Sequence, residues 1–178
     1  MSTSSQRVAC ILAALVLPAM SVPASDRIER GNFVGRTLPP YPAGLQELQG
    51  ACLAGGPGIA HVCDHAIAVL GHRPSDPARQ PVARWIVSSR NVDRAARQPR
   101  WLVTDAIEVP KPRAGYELQI GTCRVDGVDA PDVVAFVRHR EDEISRDVRW
   151  ARRYDLAAGK LAPVEARRVD CINEAAGL

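Results

Sequence analysis

Aromatic residues, lysine and long apolar runs are what this 178-residue chain has least of. Two Phe, three Tyr and three Trp make up 4% of it, too few rings for a stacking platform that would hold bases or sugars. Lysine occurs twice against 21 arginines. A guanidinium fork suits bidentate recognition of phosphate or carboxylate, but the accompanying wealth of Ala, Gly and Pro ascribes the arginine excess to a GC-rich coding bias. The formal charge is only +3. Composition thus gives no support for nucleic-acid binding or for any strongly charged partner.

Standard catalytic signatures are missing too. There is no Gly-x-Ser-x-Gly, no His-Glu-x-x-His, no glycine-rich phosphate loop and no EF-hand pattern. No Cys-x-x-Cys occurs, so the thioredoxin-like redox motif and the c-type haem attachment motif are both absent. No apolar run reaches the ~20 residues of a spanning helix. The longest, Val8 to Leu17, follows Arg7 and precedes the small-residue site Val22-Pro23-Ala24, the order of a secretory signal cleaved after Ala24. Cys10 lies inside this apolar run rather than at its end, unlike the modified cysteine of a lipoprotein. Residues 1–24 therefore read as an export signal, and the expected compartment is the periplasm or the medium.

Export changes the reading of the cysteines. Cys52, Cys63, Cys123 and Cys171 remain after cleavage, an even number in a chain of domain size, and an oxidising compartment favours two disulfides. Cys52 with Cys63 and Cys123 with Cys171 is the preferred pairing, because Gly55-Gly56-Pro57-Gly58 can turn the chain between the first two. The mature 154 residues suit one compact domain. Residues 25–42 form an extended Pro/Gly-rich lead-in, and residues 43–178 the disulfide-stapled domain.

Periodicity makes that domain mainly β, with an α+β arrangement as the alternative. Leu45, Leu48 and Ala51 are spaced for a short N-terminal helix over Ala43 to Leu53. Ala60 to Leu70 is ambiguous between strand and helix. A loose echo of Ala66 to Arg73 in Val133 to Arg140, each following a cysteine, favours strand. Val82 to Ser88 reads as a strand, and Arg90, Arg94, Arg97 and Arg100 then recur at the spacing of a solvated helical turn. Strands follow over Trp101 to Val109, Tyr116 to Cys123, Val133 to Arg140, Val148 to Leu156 and Leu161 to Val169. This rhythm predicts an antiparallel meander forming a small sandwich or barrel.

Two constellations could carry chemistry. On a strand His61, Cys63 and His65 share one face, a ligand-like row that His139 or a carboxylate could complete, although a disulfide at Cys63 removes the thiolate a metal would need. No metal site is favoured, with His61 and His65 as candidate ligands. Asp105, between Val103 and Ile107, predicts a carboxylate among apolar side chains, and Arg152 is its counterpart beside Trp150 and Tyr154. An Asp105–Arg152 pair would satisfy both, either as a structural ion pair or as a general acid or base beside an anion-holding arginine. The Glu141-Asp142-Glu143 run is the charged tip of a hairpin. The expectation is an exported, non-enzymatic binding domain without a cofactor, acting on a protein or a cell-envelope component. A small periplasmic hydrolase or metal-binding protein using His61, His65 and Asp105 is the alternative, and a structural envelope protein without a saturable ligand is the third class.

Overall fold

The computed structural model describes residues 33–42, 44–138, 140–174 and 176, so the segment read as an export signal, residues 25–32 of the lead-in and His139 lie outside the described residues. The strands, in chain order, are β1 (Thr37–Leu38), β2 (Gln46–Leu53), β3 (His65–His72), β4 (Val82–Asn91), β5 (Trp101–Glu108), β6 (Glu117–Ile120) and β7 (Cys123–Val125). They continue with β8 (Val128–Asp129), β9 (Val133–Arg138), β10 (Ile144–Ser145), β11 (Asp147–Asp155), β12 (Lys160–Pro163) and β13 (Val169–Ile172). All described pairings are antiparallel. Sheet A runs β1-β5-β4-β3-β2, sheet B runs β12-β11-β9-β6, and sheet C runs β10-β13-β7-β8.

Alternation along the strands decides how the sheets stack. Ile67, Val69 and Ile86 of sheet A meet Val134, Tyr154 and Leu161 of sheet B in one core. The opposite face of sheet B sends Val133, Ala135, Val137 and Ala151 against Cys123, Val169 and Cys171 of sheet C. Sheet B therefore forms the middle layer, and β9 is buried along five of its six residues, as a strand covered on both faces must be. The outer face of sheet A is covered by the incoming chain, where Phe33, Leu38 and Leu45 pack on Leu70, Trp85, Val87 and Val103. Phe33 lies 5.1 Å from the Trp85 ring, centroid to centroid.

The antiparallel sandwich predicted by strand rhythm is the architecture found, and Asp126-Gly127 turns β7 into β8. Both turn residues have positive φ, 52° and 78°, as a two-residue type I′ hairpin requires. Three local expectations are corrected. The helix expected over Ala43 to Leu53 is not formed across its described part, since Gln46–Leu53 is an edge strand paired with β3, and Ala43 lies outside the described residues. The register shifts between Glu47 and Gln49, and this extra residue interrupts the two-residue alternation, so apolar positions fall three apart and imitate a helical face. The arginine-bearing segment after Asn91 contains bends rather than a helical turn, with Asn91 Oδ1 accepting from the Asp93 amide and Asp93 Oδ1 from the Ala96 amide, side-chain bonds that compete with helix formation. The C-terminal meander is interrupted, because the chain leaves sheet B after β6 to build β7 and β8 of sheet C before returning at β9.

Sheets A and B meet along two seams. Where β5 lies against β12, the buried Asp105 carboxylate accepts the Leu161 amide N–H at 3.0 Å and lies 3.9 Å from the Lys160 ammonium. A side chain there substitutes for a ladder bond between the sheets. At the other seam β2 meets β6, and Gln49, Gln119, Asn173 and Glu174 line an open polar groove.

Candidate functional site

The hairpin connections β2–β3 and β4–β5 emerge at the same end of sheet A, since His65 pairs with both Leu53 and Arg90, and Asn91 pairs with Trp101. The β2–β3 connection is built around the disulfide between Cys52 and Cys63. A 3-10 turn over Ile59–His61 occupies its middle. Inside the loop the Gly55 amide donates to the His61 carbonyl and the His61 amide to the Gly58 carbonyl, both at 3.1 Å. Asp64, 9% exposed, ties the loop to its neighbour. Its carboxylate meets His61 Nδ1 at 2.9 Å and the Arg94 guanidinium, and its carbonyl accepts the Asn91 amide at 2.8 Å. The His61 hydrogen bond, with a lesser share from the Arg94 charge, holds the Asp64 carboxyl below the usual carboxylate range against the opposing effect of burial. A Cβ on Gly55 would stand 2.5 Å from that carboxylate, so only glycine fits there.

Next to this loop, a cleft of about 140 Å³ opens in the outer face of sheet A. Gly50, Ala66 and Ala68 leave room along β2 and β3, Leu38, Leu70, Val87 and Val103 supply apolar walls, and Trp101 and Cys52 stand at the loop end. Tyr41 closes another side and donates its hydroxyl to Glu47 Oε2 at 2.8 Å. Burial first, and then the Glu47 carboxylate, push the Tyr41 phenol above its ordinary pKa, so it stays a neutral donor. Only small side chains on a central stretch of sheet leave such a space uncovered, and apolar spaces of about 150 Å³ accommodate a benzene-sized group.

The sequence-predicted site residues are dispersed. His61 sits in the 3-10 turn beside Asp64, Cys63 is disulfide-bonded with a positive φ of 59°, and His65 starts β3 and faces sheet B. The shared strand face expected for His61, Cys63 and His65 is therefore corrected: the turn and the positive φ interrupt the two-residue alternation before β3 begins. Among the described residues no group of three or more His, Cys, Asp or Glu side chains is placed to hold a metal ion.

His65 Nδ1 lies 3.3 Å from the Tyr154 hydroxyl, with the rings edge to face. Tyr154 Oη also meets Thr104 Oγ1 at 3.2 Å and donates to the Ser89 carbonyl at 3.4 Å. Ser89 is 3% and Tyr154 1% exposed, while His65 and Thr104 are half-buried, so the network braces the contact between sheets A and B. Burial, and secondarily the Arg90 and Arg94 charges, lower the His65 pKa, while Asp64 opposes.

Asp105 is buried as expected, at 2% exposure, but it serves the seam with β12. Arg152 instead lies over the Trp150 ring at 5.9 Å, and its buried Nε has no hydrogen-bond partner among the described residues. Cys123 and Cys171 form the second disulfide inside the core between sheets B and C.

Sequence reasoning missed Tyr116 and Asp147. The Tyr116 hydroxyl donates to Asp147 Oδ1 at 2.7 Å and accepts from Arg149 Nε at 2.8 Å, while the Arg138 guanidinium lies 4.6 Å above its ring. Arg138 ends a continuous apolar run and Arg149 lies between Val148 and Trp150, so nothing local signals that the two meet at Tyr116. Sequence reasoning also missed the cleft, since Gly and Ala on strands leave no signal of a ligand. Two disulfides suit an oxidising compartment, and among the described residues no helix is long and apolar enough to cross a membrane. Compared with known proteins, the chain matches no family model, no curated protein and no solved structure.

Proposed function

We propose that this protein is an exported, non-enzymatic binding domain that takes an apolar group of a cell-envelope component or protein into the cleft of sheet A. The observation that carries the reading is the gap in an otherwise packed surface. Phe33 and Leu45 join Trp85 in the packed part of this face, whereas Gly50, Ala66 and Ala68 border an apolar space of about 140 Å³. Apolar clefts with a few placed polar groups are the usual form of ligand sites, and the Tyr41–Glu47 pair supplies those groups here. The scattered His61, His65 and Asp105, each held in a separate structural contact, favour binding over hydrolysis.

Titration with 1-octanol, followed by nuclear magnetic resonance of the Trp101 and Ala66 signals, tests the cleft. A saturable shift is expected in the wild type and its loss in Ala68→Leu, which fills the space, with an unchanged melting temperature. Absence of the shift in the wild type, or its survival in Ala68→Leu, would refute the proposal.

A further inference from the structure

Three of the large apolar side chains that face solvent converge on the loop end of sheet A. Ile59 is 92% exposed, Val62 60% and Val92 45%. A single exposed aliphatic residue is ordinary. These three differ in how they are held. The disulfide, the Asp64 contacts and the Arg94 guanidinium, which donates to the Ala60 carbonyl at 2.7 Å, fix the loop that carries Ile59 and Val62. The Val92 amide is in turn bonded to the Arg100 carbonyl at 2.9 Å. Folding has thus ordered apolar side chains outward, so their burial against a partner costs little further entropy.

The surroundings are basic. Residues 90–100 contribute Arg90, Arg94, Arg97 and Arg100, all exposed, and the two connections together carry only Asp64 and Asp93 in opposition. Asp64 is already engaged by His61 and Arg94. The near-neutral total charge conceals a local excess of two positive charges at this end. Apolar side chains projecting from a basic collar, rather than lining a groove, match a surface of anionic headgroups over hydrocarbon: arginines attract the phosphates while the aliphatic tip enters the acyl boundary.

We infer that the disulfide-clamped loop carrying Ile59 and Val62, with the adjacent arginine-rich β4–β5 connection, docks the protein peripherally on an anionic lipid surface. This surface is separate from the cleft. The test is sedimentation of the exported protein with vesicles of phosphatidylcholine alone and of phosphatidylcholine mixed with phosphatidylglycerol. Binding is expected to the anionic vesicles only and to fade as salt screens the charges. Ile59→Ser should weaken it about tenfold without changing the melting temperature, since Ile59 has few contacts to lose. Arg97→Gln with Arg100→Gln should weaken it about thirtyfold, and Ile59→Phe should retain it.

No binding to anionic vesicles, equal binding to both kinds, or binding unaffected by Ile59→Ser would overturn the inference. So would a dimer in sedimentation velocity that Ile59→Ser dissolves without any vesicle binding, which would make a second copy of the chain the partner. Ala68→Leu should leave vesicle binding unchanged, so failure here and failure of the cleft are distinguishable.

Discussion

The two disulfides close loops of very different length, 48 residues for Cys123–Cys171 and 11 for Cys52–Cys63. The longer one joins residues directly opposite each other on β7 and β13, both within 2% of full burial. The shorter joins the exposed Cys52 to a half-buried Cys63 beside the cleft. One crosslink therefore belongs to a core that would pack the same apolar residues around it, and the other shapes a loop with no core of its own. Where a small domain uses a disulfide inside a formed core, stability is the main gain. Where it closes a glycine-rich loop around outward apolar side chains, conformation is.

Separate removal of the two bridges sharpens this contrast. Cys123→Ala with Cys171→Ala should cost about 4 kcal/mol from restored chain entropy, and the emptied space in a close-packed core adds to that. The denaturation midpoint should fall strongly. Cys52→Ala with Cys63→Ala should cost at most about 3 kcal/mol, with a different signature in hydrogen exchange. Amide protection in residues 54–64 should collapse while β9 and β11 stay protected, the behaviour of local opening. Equal loss of protection throughout both variants would break the distinction.

The same contrast explains what was legible in the sequence. Cys52, Cys63, Cys123 and Cys171 could be paired from their even number and loop length, and β5, β9 and β11 could be read from two-residue alternation and turn residues. Asp105 was legible as an inward carboxylate because its neighbours Val103 and Ile107 are apolar. What failed did so where the alternation breaks: at the bulge after Glu47, which imitated a helix, and at the 3-10 turn before β3, which parted His61 from His65. Partners across sheets were hidden as well. Nothing local assigns Asp105 to the Leu161 amide rather than to Arg152, since the two lie 56 and 47 residues away and only the meeting of β5 with β12 decides between them.

That seam offers the next comparison, against the open groove between β2 and β6. Asp105→Ala would leave the Leu161 N–H without its acceptor at a buried site, a loss of about 2 kcal/mol, and exchange of the Leu161 amide should quicken. Asp105→Asn keeps an acceptor oxygen and should lose less. Gln119→Ala at the open seam removes bonds to Thr122 and the Ile172 carbonyl on a surface where water can replace them, so its effect on the denaturation midpoint should be the smaller. A larger loss at Gln119 than at Asp105 would reverse the assignment of closed and open seams.

Acid should separate the two ends of sheet A through Asp64. Its carboxyl is held below the ordinary carboxylate range by His61 and Arg94, so ionised Asp64 binds its proton less readily when folded. The stabilisation is fully present above the ordinary value of about 3.9 and is lost as pH falls through the lower folded value. Protection of residues 54–64 should therefore decline in acid before that of the β3–β4 connection at the opposite end, which the Asp64 contacts do not reach. Asp64→Asn should show reduced protection at neutral pH and no further acid-dependent loss of this kind.

The smallest effect expected comes from His65, at the same end but on the inward face. Tyr154 faces it from sheet B, Arg90 and Arg94 contribute like charge, and Asp64 opposes them. Burial and the arginines disfavour the imidazolium, so the folded pKa lies below the ordinary 6.5 and the unfolded chain binds the proton first as pH drops. This contribution is complete above about pH 6.5 and is lost as pH falls through the folded value. A shallow fall in the denaturation midpoint from pH 7 toward 5 is expected, and His65→Gln, which keeps a polar side chain beside the Tyr154 hydroxyl, should flatten it. An imidazole titrating above 6.5 by nuclear magnetic resonance would show that Asp64 outweighs burial, making His65 part of the charged loop rather than of the core.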